Sequence, residues 1–146
     1  MLHCLFARNE CADFDIRKIR SFCPRRFDTF VFAPAVGASG GILVVWNSSI
    51  FNGTLEQVQS FGIVVSFQSV HNANKWTLVS VYGPCDGPLR DNFVSWLYHL
   101  NIPTDENWLL LGDFNFIRSI DNRNRSRGDV NDIFFFNEII GHLGLL

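Results

Sequence analysis

Asn107-Trp108-Leu109-Leu110-Leu111-Gly112-Asp113-Phe114-Asn115-Phe116 is the stretch that decides the fold. Trp108–Leu111 is an unbroken apolar run bounded by turn residues, which suits a short strand buried on both faces, although periodicity alone does not distinguish it from a buried helix. Gly112 ends the run and lets the backbone turn or approach another group closely. Asp113 and Asn115 follow at the strand's exit. An unpaired buried carboxylate is costly, so Asp113 is expected to face solvent, a metal or a phosphate-binding cleft. Asn115 offers both a donor and an acceptor. A strand-ending Asp-x-Asn turn with no chemical role has the same sequence.

Working upstream, Pro88–Leu100 reads as a helix: Pro88 suits the first turn, and Phe93, Trp96, Leu97 and Leu100 recur at helical spacing. Before it, Lys75–Tyr82 reads as a strand that Gly83-Pro84 stops. Strand, helix and strand in succession predict a parallel pair joined by a right-handed crossover. Parallel strands deliver their C-terminal ends to one sheet edge, where open α/β sheets bind ligands. Tyr82 and Asp113 are therefore predicted to converge.

Further upstream, Asp28–Pro34, Ile42–Trp46, Thr54–Gln59 and Gly62–Gln68 read as strands, with a Gly/Ser loop at Gly37–Gly41 and a polar loop at Ser69–Asn74. The short links after Gln59 and Gln68 imply antiparallel hairpins. The Gly/Ser loop has no Lys and matches neither a phosphate-binding P-loop nor a dinucleotide fingerprint. Asp13–Cys23 fits a helix with Asp13 as a cap, and Arg17, Lys18, Arg20, Arg25 and Arg26 form a basic cluster about it. That cluster reads first as a solvated face. Downstream, Ile117–Val130 is a polar loop containing Arg118, Arg123, Arg125 and Arg127; Arg123 and Arg125 are candidate phosphate contacts, with a solvated loop the equal alternative. A last helix is predicted with Asn131 as cap and Gly144 at the C′ position.

With 146 residues, the chain is expected to be a single domain. A hydrophobic fraction of 47%, with fifteen Phe and four Trp, is enough for a substantial core and argues against disorder. The net charge of −2 gives no global electrostatic footprint for nucleic acid, although a cleft needs only a local basic rim. Cys4, Cys11, Cys23 and Cys85 show no Cys-x-x-Cys spacing, so core or surface thiols are expected rather than a zinc or redox site. No signal peptide is visible, and no apolar run approaches the roughly 18 residues of a membrane span. An intracellular location is expected.

The Gly112-Asp113-Phe114-Asn115 block resembles the Gly-Asp-Phe-Asn motif of the endonuclease/exonuclease/phosphatase (DNase I-like) superfamily. Gly40-Gly41-Ile42-Leu43-Val44-Val45-Trp46, Val81-Tyr82-Gly83-Pro84, Arg90-Asp91-Asn92-Phe93 and the Gly-Asp-Phe-Asn block occur in the order seen in plant non-LTR (LINE-type) retrotransposon endonucleases. The resemblance implies a DNase I-like α/β sandwich of packed mixed sheets with outer helices, present here as a partial domain truncated at both ends. It implies Mg²⁺- or Mn²⁺-dependent hydrolysis of phosphodiesters, DNA as partner and, if the family role is kept, a nuclear location.

By the same resemblance, Asp113 would act near the attacking water, Asn115 would hydrogen-bond the scissile phosphate, and Tyr82 would contact or stabilise it. Arg90 would lie near the nucleic-acid backbone. Cys85 stands where many relatives carry Asn. The family's metal-ligand Glu falls at about Arg8, and Glu10 replaces it only if the register slips by two residues. The family's C-terminal Ser-Asp-His block, with its general-base His, would lie beyond Leu146. Three readings follow: a metal-dependent nuclease, a catalytically impaired remnant of one, and a nucleic-acid or protein binding module reusing the cleft. The second is the expectation, because a guanidinium in place of a carboxylate repels the cation it should hold.

Overall fold

The computed structural model describes residues 2–7, 15–36, 41–84, 88–101, 107–116 and 130–145. Its elements are β1 (Leu2–Ala7), α1 (Ile16–Phe22), β2 (Thr29–Ala33), β3 (Gly41–Trp46), β4 (Phe51–Gln59), β5 (Gly62–Ser69), β6 (Lys75–Tyr82), α2 (Pro88–Tyr98), β7 (Asn107–Asp113) and α3 (Val130–His142). The protein is a mixed α/β chain that divides into two compact units, Met1–Tyr82 with Ile102–Asp113, and Gly83–Asn101 with Phe114–Leu146.

The first unit is built on two sheets. One has the order β1-β3-β2 and is antiparallel throughout; the other has the order β4-β5-β6-β7. In the second sheet β4, β5 and β6 form an antiparallel meander, and β7 joins β6 in parallel. Both the hairpins and the parallel pair follow the sequence expectation. The sheets pack face to face: Ala33, Ile42, Val44 and Trp46 of the first share one buried cluster with Ile63, Val65, Phe67 and Leu78 of the second. The alternate residues of β3, Leu43 and Val45, point the other way and pack with Ile19 of α1, Cys23 and Phe27. A helix thus covers the outer face of the first sheet.

Phe67 sits at the centre of the inter-sheet core. It is stacked on Trp76 at 4.7 Å and meets Trp46 edge-on at 5.3 Å and Phe51 at 5.8 Å. Gly53, opposite Phe67 in the β4–β5 register, leaves the space that the Trp46 indole fills: a Cβ there would lie 2.7 Å from the ring.

Several boundaries differ from the sequence reading. The first helix begins at Ile16, not Asp13, because the Asp15 carboxylate caps it by accepting from the Lys18 N–H at 2.7 Å. Asp13 itself lies outside the described residues. The fourth strand starts at Phe51, since the Phe51 N–H closes the preceding turn on the Asn47 carbonyl. Asn131 is inside α3 and does not cap it. Gly144 does end that helix, with φ +68°: its N–H reaches the Gly141 carbonyl and the Leu145 N–H reaches the Ile140 carbonyl, a Schellman closure.

The larger correction concerns β7. It is not buried on both faces but is, among the described residues, the last strand of its sheet, and its residues alternate between exposed and half-buried. Leu109 and Leu111 are 46% and 41% exposed, although Leu78 and Ser80, their partners in the register, are fully buried. β3, by contrast, has both faces covered, and all six of its residues are buried.

Cys23, the only cysteine whose side chain is described, is a core thiol, and burial pushes its pKa up. Asp28 ties the end of the β2 approach to the turn after β3. Its carboxylate accepts from the Ser48 hydroxyl at 2.7 Å and the Ser48 N–H at 2.8 Å. These bonds, the hydroxyl's first, hold the Asp28 carboxyl below the ordinary carboxylate range. A depressed native pKa means that this contribution is present above the unfolded value and is lost as pH falls through the lower native one. Among the described residues no helix is long and apolar enough to cross a membrane.

Candidate functional site

In the first unit, the parallel register runs from Trp76 opposite Asn107 to Tyr82 opposite Asp113. Strand lengths alone produce the last pairing: both strands end together, so their final side chains stand on one edge of the sheet. Tyr82 is half-buried against the inter-sheet core, and its N–H donates to the Phe61 carbonyl at 3.0 Å. Asp113 is exposed, as expected of an ionised carboxylate at a strand's exit. Gly112 lies directly beside Val81 in the register and has φ +152°. On the same face as Tyr82, one residue pair back, the Ser80 hydroxyl is buried with no hydrogen-bond partner among the described residues.

In the second unit, Asn115 adopts a left-handed backbone with φ +53°, which Asn tolerates better than most residues. Its side-chain amide donates to the Gly83 carbonyl. Gly83 is tightly enclosed: a Cβ would collide with the Phe114 carbonyl and approach the Phe93 ring at 2.8 Å. Arg90 lies with its guanidinium 4.1 Å from the centroid of Phe116, a cation–π contact. Phe116 in turn is stacked with Phe136 at 5.3 Å.

The second unit also carries a groove of 580 Å³ between α2 and α3. Arg90, Asp91 and Tyr98 line it from α2, Phe135 and Glu138 from α3, and Phe116 from the segment after β7. Residues missed by the sequence reading are concentrated here. The signal was present, since Arg90, Asp91, Val94, Ser95, Tyr98 and His99 recur at the spacing of one helical stripe. The apolar stripe on the same helix, with Phe93 and Leu97 buried, drew the reading instead.

The structure therefore brings Tyr82 and Asp113 together, fixes Asn115 to Gly83, and seats Arg90 on Phe116. Arg8, Glu10, Cys85, Arg123 and Arg125 lie outside the described residues. Among the described residues no group of three or more His, Cys, Asp or Glu side chains could hold a metal ion. Comparison of the sequence with protein-family models gives no match, and a search of curated proteins gives no significant one.

Proposed function

We propose that this chain is a retrotransposon-derived, DNase I-like endonuclease domain that retains contact with nucleic-acid phosphate and has lost most or all turnover. The observation that carries this reading is the Tyr82–Asp113 pairing at the end of β6 and β7. It supports the resemblance because Val81-Tyr82 and Gly112-Asp113, which belong to two of the blocks that carry it, pair at one sheet edge. The mixed sheets packed face to face, with α1 outside the first, support the same reading.

In this proposal the Tyr82 hydroxyl donates to a phosphate oxygen, and Asp113 accepts from water beside it. Divalent-cation chemistry in the family neutralises the phosphate and activates water. The position expected to supply that ion's main carboxylate holds Arg8. Without that charge, phosphate is held by hydrogen bonds alone.

The test is incubation of the purified protein with supercoiled DNA and Mg²⁺ or Mn²⁺, beside an Asp113→Ala control, with DNA binding followed by fluorescence anisotropy. No metal-dependent nicking is expected, together with weak binding that falls as salt rises. Tyr82→Phe is expected to weaken binding about fivefold, the worth of one hydrogen bond of roughly 1 kcal/mol. Nicking by the parent that disappears in Asp113→Ala would show the domain to be an active nuclease, with Glu10 the first substitute ligand to mutate. Binding unaffected by Tyr82→Phe would remove the phosphate-contact reading.

A further inference from the structure

The groove between α2 and α3 is independent of the sheet-edge residues, and its chemistry is of a different kind. Its walls are apolar, from Val94, Phe135 and Ile139, while its charged groups are Arg90, Asp91 and Glu138. One guanidinium against two carboxylates leaves the lining with a formal charge of −1. The guanidinium is moreover already engaged on the Phe116 ring at 4.1 Å. Such a lining does not suit a phosphate.

The ends of the groove are distinguishable. Tyr98 is stacked on His142 at 4.3 Å, which ties together the C-terminal ends of the two helices. Arg90 and Asp91, two turns before Tyr98, therefore mark one end of the groove. Glu138, one turn before His142 on α3, lines the same groove as Tyr98. The lining thus holds an exposed carboxylate, Glu138, and an exposed phenol ring, Tyr98, which is 42% accessible and has one face stacked on His142. A carboxylate beside an aromatic ring is the pairing that recognises an organic cation, by ion pairing on one side and cation–π attraction on the other. The half-exposed Phe135, at 55%, and the buried Ile139 then offer a surface for an apolar body attached to that cation. The volume of 580 Å³ falls within the range of sites for single small molecules.

We propose that this groove binds a small amphipathic organic cation, with its ammonium group between Glu138 and Tyr98 and its apolar body along Val94, Phe135 and Ile139. The site does not depend on the nuclease reading, and neither result bears on the other.

The probe is phenethyltrimethylammonium, titrated into the full chain and followed by two-dimensional NMR. The neutral 3-phenylpropanol and the anionic 3-phenylpropionate serve as companions. Saturable shifts confined to α2, α3 and Phe116 are expected, with a dissociation constant of about 1 mM for a ligand of this size. The cation should bind about threefold or more tighter than the alcohol, and the carboxylate most weakly, because one exposed ion pair and one cation–π contact distinguish them. Glu138→Gln, at an exposed position, should abolish the preference while leaving the alcohol's affinity unchanged. In the parent chain, raising the salt should weaken the cation and spare the alcohol, a check that needs no variant. Absence of saturable shifts, shifts outside the groove, equal binding of the three probes, or a preference that survives Glu138→Gln would each overturn the proposal.

Discussion

Phe67→Ala is expected to destabilise the protein by about 3–5 kcal/mol, the loss typical of a buried aromatic ring cut back to a methyl group. The side chain is 1% exposed and contacts aromatic rings from both sheets, Trp76 within its own and Trp46 across the interface. Its removal leaves a void that these rings cannot close without shifting the sheets, since protein interiors are packed close to crystal density. Chains of this size have a total stability of roughly 5–15 kcal/mol, so the expected loss is a large part of the whole. In a thermal melt followed by circular dichroism, the midpoint should fall by about 10 °C or more. Phe134→Ala is the comparison, because that ring is 69% exposed and its truncation should stay within about 0.5 kcal/mol of the parent. A Phe67→Ala midpoint no lower than that of Phe134→Ala would mean that the aromatic cluster does not hold the sheets together.

Phe67 also shows where the sequence could be read and where it could not. The strand Lys75–Tyr82 was legible to the residue, because Gly83-Pro84 stops it. The parallel β6–β7 pair was legible from the helix between the strands, and with it the meeting of Tyr82 and Asp113. The two unbroken apolar runs, by contrast, looked alike. Ile42–Trp46 proved central and covered on both faces, whereas Trp108–Leu111 proved to be an edge. Residue types report how apolar a strand is, but its place in the sheet depends on which strands flank it, and that is not a local property. The through-space contacts of the second unit were equally hidden. Nothing within a few residues of Asn115 announces a bond to Gly83, and Arg90 meets Phe116 only because the chain folds back.

Gly112→Ala is expected to cost about 3 kcal/mol or more, and to do so without touching the hydrophobic core. The residue's φ of +152° is one that side-chain-bearing L-residues rarely adopt. A Cβ built there would overlap the Val81 carbonyl and approach the Val81 Cγ2 at 2.9 Å. Backbone stands in the way, so no rotamer change relieves the collision; the β6–β7 ladder must open instead. Because Gly112 immediately precedes Asp113 in the register, the same opening would separate Asp113 from Tyr82. Urea unfolding should show a midpoint well below the parent's, and amide resonances of Val81 and Tyr82 should move more than those of β4. A variant within about 1 kcal/mol of the parent would show that the strand end accepts an ordinary residue.

The order of strands in the second sheet carries a consequence for how the molecule is made. β4, β5 and β6 neighbour one another in the chain as well as in the sheet, with Ser60–Phe61 and Val70–Asn74 as their only links. Such pairings close short loops and lose little chain entropy. β7 can join only after residues 83–106 have been brought round, a much longer closure. The meander is thus the part that forms early, and the parallel strand is added to a sheet that already exists. Native-state hydrogen exchange should then find β7 amides opening at lower free energy than those of β5, and equal protection of both strands would refute this order. The pairing of Tyr82 with Asp113 belongs to that late step. The residues proposed to touch phosphate are therefore among the last that folding assembles and the first that a partial opening takes apart.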